Sequence, residues 1–222
     1  MESPSIMGKR ELKSDEIYRK MKSMIIQNTL QQGAPLSERK LSEMLQASRT
    51  PIREALRKLY NENFVEITPE YGAFVSRVTY DQVSQIYDIR EMLEALAVRV
   101  FIQSLTPEKL EHVNNIHRKI VALFNENRLK DALEVDFQFH HYIITACNNE
   151  QLKKILRSIF DQTARILKLT EYTSEWAHES LEEHTLLVKC INQRDGSAAE
   201  EVMRKHVRDS KRHQLEQWIK TI

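Results

Sequence analysis

The chain has 222 residues, 41% of them hydrophobic and 29% charged, with a formal net charge of +1. That balance supports a packed core and excludes a disordered chain, while the near-zero charge announces no nucleic-acid partner by itself. Two cysteines exclude a disulfide framework, and the absence of an apolar signal core or of a run of about 18 apolar residues leaves a soluble cytoplasmic protein as the expectation.

The special residues are unevenly spread. All 8 His and both Cys lie beyond residue 100, whereas three of the 4 Gly and four of the 5 Pro lie before residue 80. Residues 1–77 carry 13 Lys and Arg against 10 Asp and Glu, a net +3, and the remainder carries 20 against 22, a net −2. A turn-rich, mildly basic first third and an almost purely helical remainder suggest two domains, residues 1–78 and 79–222.

Residues 1–13 are polar and read as a frayed lead-in. Ile17, Met21, Met24 and Ile25 then mark a helix from Ser14 to near Leu30, stopped by Gly33-Ala34-Pro35. Ser37 caps a short helix whose Leu41, Met44 and Leu45 face inward. About four residues later comes Ser48–Leu59, SRTPIREALRKL, with Thr50 as a possible N-cap and Pro51 in the first turn. Ile52, Ala55, Leu56 and Leu59 form its apolar stripe, and Arg49, Arg53 and Arg57 fall four apart on another, where guanidinium forks reach phosphates or guanine edges. Two short helices joined by so brief a turn make a helix-turn-helix with the second as reader. Phe64–Ile67 and Ala73–Ser76 then read as two strands, so this third of the chain is expected to be a winged helix.

Six helices are expected beyond it, with no strand. They run over residues 79–105, 106–125, 129–147, 150–169, 174–193 and from Ser197 to near Ile219. T-x-x-Q at Thr79 and S-x-x-E at Ser197 read as capping boxes. Asp136 and His140 are i, i+4 on one face. His184 lies 11 residues before Asp195 and His206 lies 11 after it, so a helix hairpin turning at Asp195-Gly196 sets both at one height. Three imidazoles and a carboxylate at one level suit a first-row transition metal with a position left open. Taken singly, each would be an ordinary packing residue, as His112, His117, His141, His178 and His213 are expected to be.

The stretch PLSERKLSEMLQASRTPIREALRKLYNENFVEITPEYGAFVSRV closely resembles the DNA-binding domain of the GntR family of bacterial transcription regulators. The resemblance implies DNA contacts from Arg39, Ser48, Arg49, Thr50, Arg53 and the wing-tip Gly72. Gln46 and Asn63 stand where that family favours Gly, at helix ends that need a left-handed backbone. YDIREMLEALA, VDFQFHHYI and EEHTLLVKCINQRDGSAAEEVMRKHV resemble the FCD effector domain of one GntR subgroup, here in its metal-dependent branch. That likeness implies Asp136, His140, His184 and His206 as ligands of a divalent ion, zinc ahead of nickel or manganese, and Arg90 as an effector-binding residue. Asn148 replaces a usual Gly at the pocket rim.

The expected protein is therefore not an enzyme. It is a homodimeric regulator, a repressor in the family's commoner mode, holding a pseudo-palindromic double-stranded operator and answering to a small organic acid. Two alternatives stand beside it. One is a mononuclear metal hydrolase with a DNA-binding head, and the other is a regulator that senses the metal itself. A dinuclear carboxylate enzyme fits poorly, since Glu175-x-x-His178 has no second copy.

Overall fold

The computed structural model describes residues 4–170 and 173–221, and its contacts divide the chain into two compact units. Residues 1–79 and 164–169 form the first unit, and residues 80–163 and 170–222 form the second.

In the first unit α1 (Pro4–Ile26), α2 (Glu38–Met44) and α3 (Arg49–Asn61) precede a hairpin of β1 (Val65–Thr68) and β2 (Gly72–Val75). Helix α1 begins ten residues before the expected start, because Lys9 to Lys13 are good helix formers that continue the pattern upstream. Met1 to Ser3, in the expected lead-in, lie outside the described residues. The helix ends at Ile26, short of Leu30, where Asn28 turns left-handed with φ 57°.

Ser48, not Thr50, occupies the N-cap position of α3, without a side-chain capping bond, and Thr50 sits inside the first turn beside a buried Pro51. Ile52, Ala55, Leu56 and Leu59 are all buried against Ile17, Met21 and Ile25 of α1 and against Phe64, Val65 and Val75. The antiparallel hairpin pairs Val65 with Val75 and Thr68 with Gly72, one residue displaced from the expected strands. Residues 33–36 bridge onto the free edge of β2, a pairing that sequence reading missed: Leu36 N–H donates to Ala73 O at 2.7 Å and Val75 N–H to Ala34 O at 3.0 Å. Pro35 interrupts any strand pattern there, which is why periodicity is silent.

The second unit contains α4 (Tyr80–Gln103), α5 (Pro107–Asn125), α6 (Leu129–Ala146), most of α7 (Glu150–Leu169), α8 (Ser174–Asn192) and α9 (Gly196–Thr221). It is an all-helical bundle, as expected, with α4 packed on α9 and α6, and α8 packed on α5 and α9. Val83, Tyr87 and Phe101 of α4, Phe139 and Ile143 of α6, Leu187 and Ile191 of α8, and Met203 and Val207 of α9 are buried at its centre. Thr106 caps α5 through Lys109 N–H, and Asn149 caps α7 through Leu152 N–H. The start of α9 differs from the expected Ser197 box. Asp195 Oδ1 accepts from Ala198 N–H at 2.9 Å, so the aspartate of the turn is the cap.

Candidate metal centre and nucleic-acid interface

Three helices of the bundle each deliver one imidazole to a common point. His140 comes from α6, His184 from α8 and His206 from α9, and all three are buried. The Nε2 atoms of His140 and His184 are 3.1 Å apart, those of His140 and His206 3.1 Å, and those of His184 and His206 3.3 Å. Equal spacing from the α8–α9 turn does place His184 and His206 level.

Every outer nitrogen of the three rings faces a carboxylate. His140 Nδ1 lies 2.7 Å from Glu94 Oε2, His206 Nδ1 3.0 Å from Glu183 Oε2, and His184 Nδ1 3.0 Å from Asp136 Oδ1. A carboxylate hydrogen bond fixes the proton on Nδ1 of His140 and His206, so the Nε2 atoms of those two rings turn their lone pairs inward. The three converging Nε2 atoms therefore have at most one proton, that of His184, to share among their three contacts. The His184 imidazole is held well below its usual range by burial and then by His206 and His140, so protonation does not relieve the crowding. The donor set fits a cation. Tetrahedral zinc–imidazole bonds of about 2.0–2.1 Å require nitrogens about 3.3 Å apart, close to the observed triangle.

Asp136 does not join the three rings at that point. Its carboxylate stands beside His184 without the alignment of a hydrogen bond, and burial raises its pKa against the pull of His140, His206 and Arg90. Sequence reading missed Glu94 and Glu183. Burial would push the Glu94 carboxyl up, but the Arg90 guanidinium and His140 pull it down to about 2. Glu183 is likewise opposed by burial and drawn down to about 2 by His206 and Lys205.

Arg90 is buried, donates through Nε to Glu94 Oε1 at 2.5 Å, and lies over the Tyr87 ring at 4.6 Å. It therefore holds the carboxylate that holds His140. Asn148 carries no left-handed backbone strain, so the exchange for Gly there is innocuous. The remaining histidines pack: His112 on Tyr142, His178 on Phe124, His213 on Trp176, His141 near Phe160, and His117 against the Thr185 hydroxyl. The side chain of Glu175 lies outside the described residues.

In the first unit Arg39, Ser48, Arg49, Thr50, Arg53, Arg57 and Gly72 are all exposed. Ser48 makes no side-chain capping bond, which leaves its hydroxyl and the first amides of α3 open to a phosphate. Arg53 Nε donates to both oxygens of Glu38, at 2.7 and 2.9 Å, while Arg39 makes only a 3.9 Å approach to Glu43. Gly72 has φ 83° with open space around it, and Tyr71 beside it is 77% exposed at the wing tip.

The profile of the gntR family of bacterial regulatory proteins matches residues 13–75, and that of the FCD domain matches residues 85–209. The chain belongs to the GntR family and carries an FCD domain. It is 24% identical over 197 residues to the HTH-type transcriptional repressor RspR of Escherichia coli, covering 88% of this chain and 86% of that protein. It is 29% identical over 185 residues to the gluconate operon transcriptional repressor of Bacillus licheniformis, covering 79% and 74%. Its fold is similar to E. coli McbR/YncC, with TM-score 0.77 and 22% identity over 93% of this chain and 98% of that one. A GntR regulator from Rhodococcus gives TM-score 0.74 and 19% identity over 91% and 97%. This GntR chain is thus a DNA-binding transcriptional regulator, in a family of regulators and not of enzymes, and among the described residues no helix is long and apolar enough to cross a membrane.

Proposed function

We propose that this regulator is a repressor whose grip on its operator is controlled by a small organic acid bound at a divalent metal ion in the FCD domain. The observation that carries the reading is the triangle of His140, His184 and His206 Nε2 atoms, each ring backed by a carboxylate. These three residues would hold the ion, with Asp136 as fourth donor, since its carboxylate is close by and bound to His184 by no aligned hydrogen bond. Zinc suits the donor set best, with nickel or manganese as the other occupants. When bound, the ion supplies a Lewis-acid point that takes a carboxylate oxygen.

The protein supplies the rest. Asp136 and Ser180 border a water-sized cavity whose walls include Ile120, Phe124, Ala132 and Leu133, and an acid would have to widen it to enter. Arg90, paired with Glu94, would supply positive charge on the His140 side of the site, and filling the site would act on α6, α8 and α9, which carry the three rings. An effector shifts operator affinity only by its preference between two states, typically about 1–3 kcal/mol. A homodimer would present Arg39, Ser48, Arg49, Thr50 and Arg53 of each copy to one half of a pseudo-palindromic operator, with Gly72 letting the wing approach the backbone. Ile89 and Met92, 41% and 54% exposed on α4, offer an apolar step for the second copy.

The test is a titration of the purified protein against a duplex selected from a random library, with zinc or chelator and a panel of two- to six-carbon acids. At least one acid is expected to change affinity fivefold or more in the zinc form alone, which corresponds to the lower end of such couplings. Equal affinity under every condition would remove the switch, and a response to zinc without any acid would make the ion the signal.

A further inference from the structure

The Arg53 guanidinium has two hydrogen-bonding edges, and Glu38 occupies only one. Both oxygens of the carboxylate converge on Nε, leaving the Nη1 and Nη2 end open to solvent on the exposed face of α3. Glu38 is the first residue of α2, so one helix of the pair grips the reading side chain of the other across 15 residues of chain. A free arginine meets a phosphate with either edge and sweeps many rotamers. An arginine held at Nε has one fork left, and guanine O6 and N7 match that fork in the major groove. The carboxylate also brings a negative charge to the surface that meets DNA, which weakens attraction to phosphates in general.

We propose that Glu38 is a specificity-determining positioning residue that makes Arg53 a reader of one guanine instead of a phosphate clamp. The inference rests on the reading that Arg53 touches DNA. Glu38 disfavours non-operator DNA through its charge and favours the operator by fixing the Nη1–Nη2 fork before binding.

The experiment uses the full-length protein, a duplex selected by that protein from a random library, and a scrambled duplex of the same composition. Glu38→Ala is expected to bind the scrambled duplex as well as the native protein or better, while losing operator affinity, so that discrimination falls about tenfold. Replacing single operator guanines by 7-deazaguanine, which lacks N7, is expected to weaken the native protein about tenfold at one position per half-site and to weaken Glu38→Ala little there. A thermal midpoint within the native range shows that the variant is folded, as a half-buried first-turn position permits. Equal loss on both duplexes, or an unchanged 7-deazaguanine profile in Glu38→Ala, would overturn the proposal. Arg53→Ala separates the two readings: if it leaves operator affinity unchanged, the underlying contact fails, whereas its loss of affinity with no Glu38 effect sinks the positioning role alone.

Discussion

His184 and His206 stand eleven residues either side of Asp195, and their Nε2 atoms meet 3.3 Å apart at the centre of the bundle. The turn that makes this possible is held by Asp195, whose carboxylate caps α9. Asp195→Ala removes that cap and is expected to cost about 1 kcal/mol in chemical denaturation. It also loosens the register of the two rings, so zinc affinity should fall alongside stability. A stability loss with zinc binding intact would separate the turn from the site.

Removal of any one imidazole should be felt mainly through the metal. His140→Ala, His184→Ala and His206→Ala are each expected to abolish the rise in thermal midpoint that saturating zinc gives the native protein. For native protein at a hundredfold excess of ion over its dissociation constant, that stabilisation is about 2.7 kcal/mol. Scanning calorimetry with zinc and with chelator measures it. If the alanine variants keep the full shift, the ion binds elsewhere.

Glu94 and Glu183 set the orientation of His140 and His206, so neutral replacements act without touching the ion. Glu94→Gln and Glu183→Gln should each lower zinc affinity about 10- to 100-fold. Glu94→Gln should cost stability too, because it leaves the buried Arg90 charge without its carboxylate, a change of order 3–5 kcal/mol for fully buried pairs. Glu183 is partly exposed and bonded to Lys205 at the surface, so its stability loss should be small. Competition with a chromophoric chelator reads the affinity. Unchanged zinc binding in both variants would reduce these carboxylates to packing.

Much of this architecture is legible in the sequence, and the rest is hidden for identifiable reasons. The apolar stripe Ile52, Ala55, Leu56, Leu59 and the equal spacing of His184 and His206 are periodicities, and the structure buries the first and joins the second. Gln46 and Asn63 do adopt left-handed backbone, with φ 48° and 61°, as the loss of expected glycines implies. Asn127 and Arg194 do the same after α5 and α8, unannounced, because any residue ending a helix this way looks ordinary in sequence. Glu94 and Glu183 escape notice for a related reason. A glutamate on a helix reads as solvated, and only its partner on another element shows otherwise. Asp136 marks the limit of helical spacing: its place on the face of His140 is legible, but which ring nitrogen its carboxylate meets is a matter of side-chain rotamer.

The left-handed Gln46 gives a stability test that is independent of metal and DNA. Gln46→Gly relieves a conformation that disfavours a side chain and is expected to stabilise the protein by up to about 1 kcal/mol. Asn63→Gly should gain less, because asparagine tolerates that conformation. Denaturant midpoints compare the two, and a destabilised Gln46→Gly would mean that its side chain contributes more than its backbone costs.

Arg49→Ala tests the reading surface without disturbing a core. It is expected to weaken binding to the selected duplex and to reduce the slope of log affinity against log salt by about one if the arginine meets a phosphate. An unchanged slope with lost sequence preference would assign it to a base instead.

The most direct test is a crystal structure of the zinc-saturated protein with anomalous differences collected on either side of the zinc edge. One anomalous peak per chain, bonded to the Nε2 atoms of His140, His184 and His206, is the predicted result. Zinc-saturated crystals with no peak between those three rings, or with the ion held by other side chains, would contradict the account.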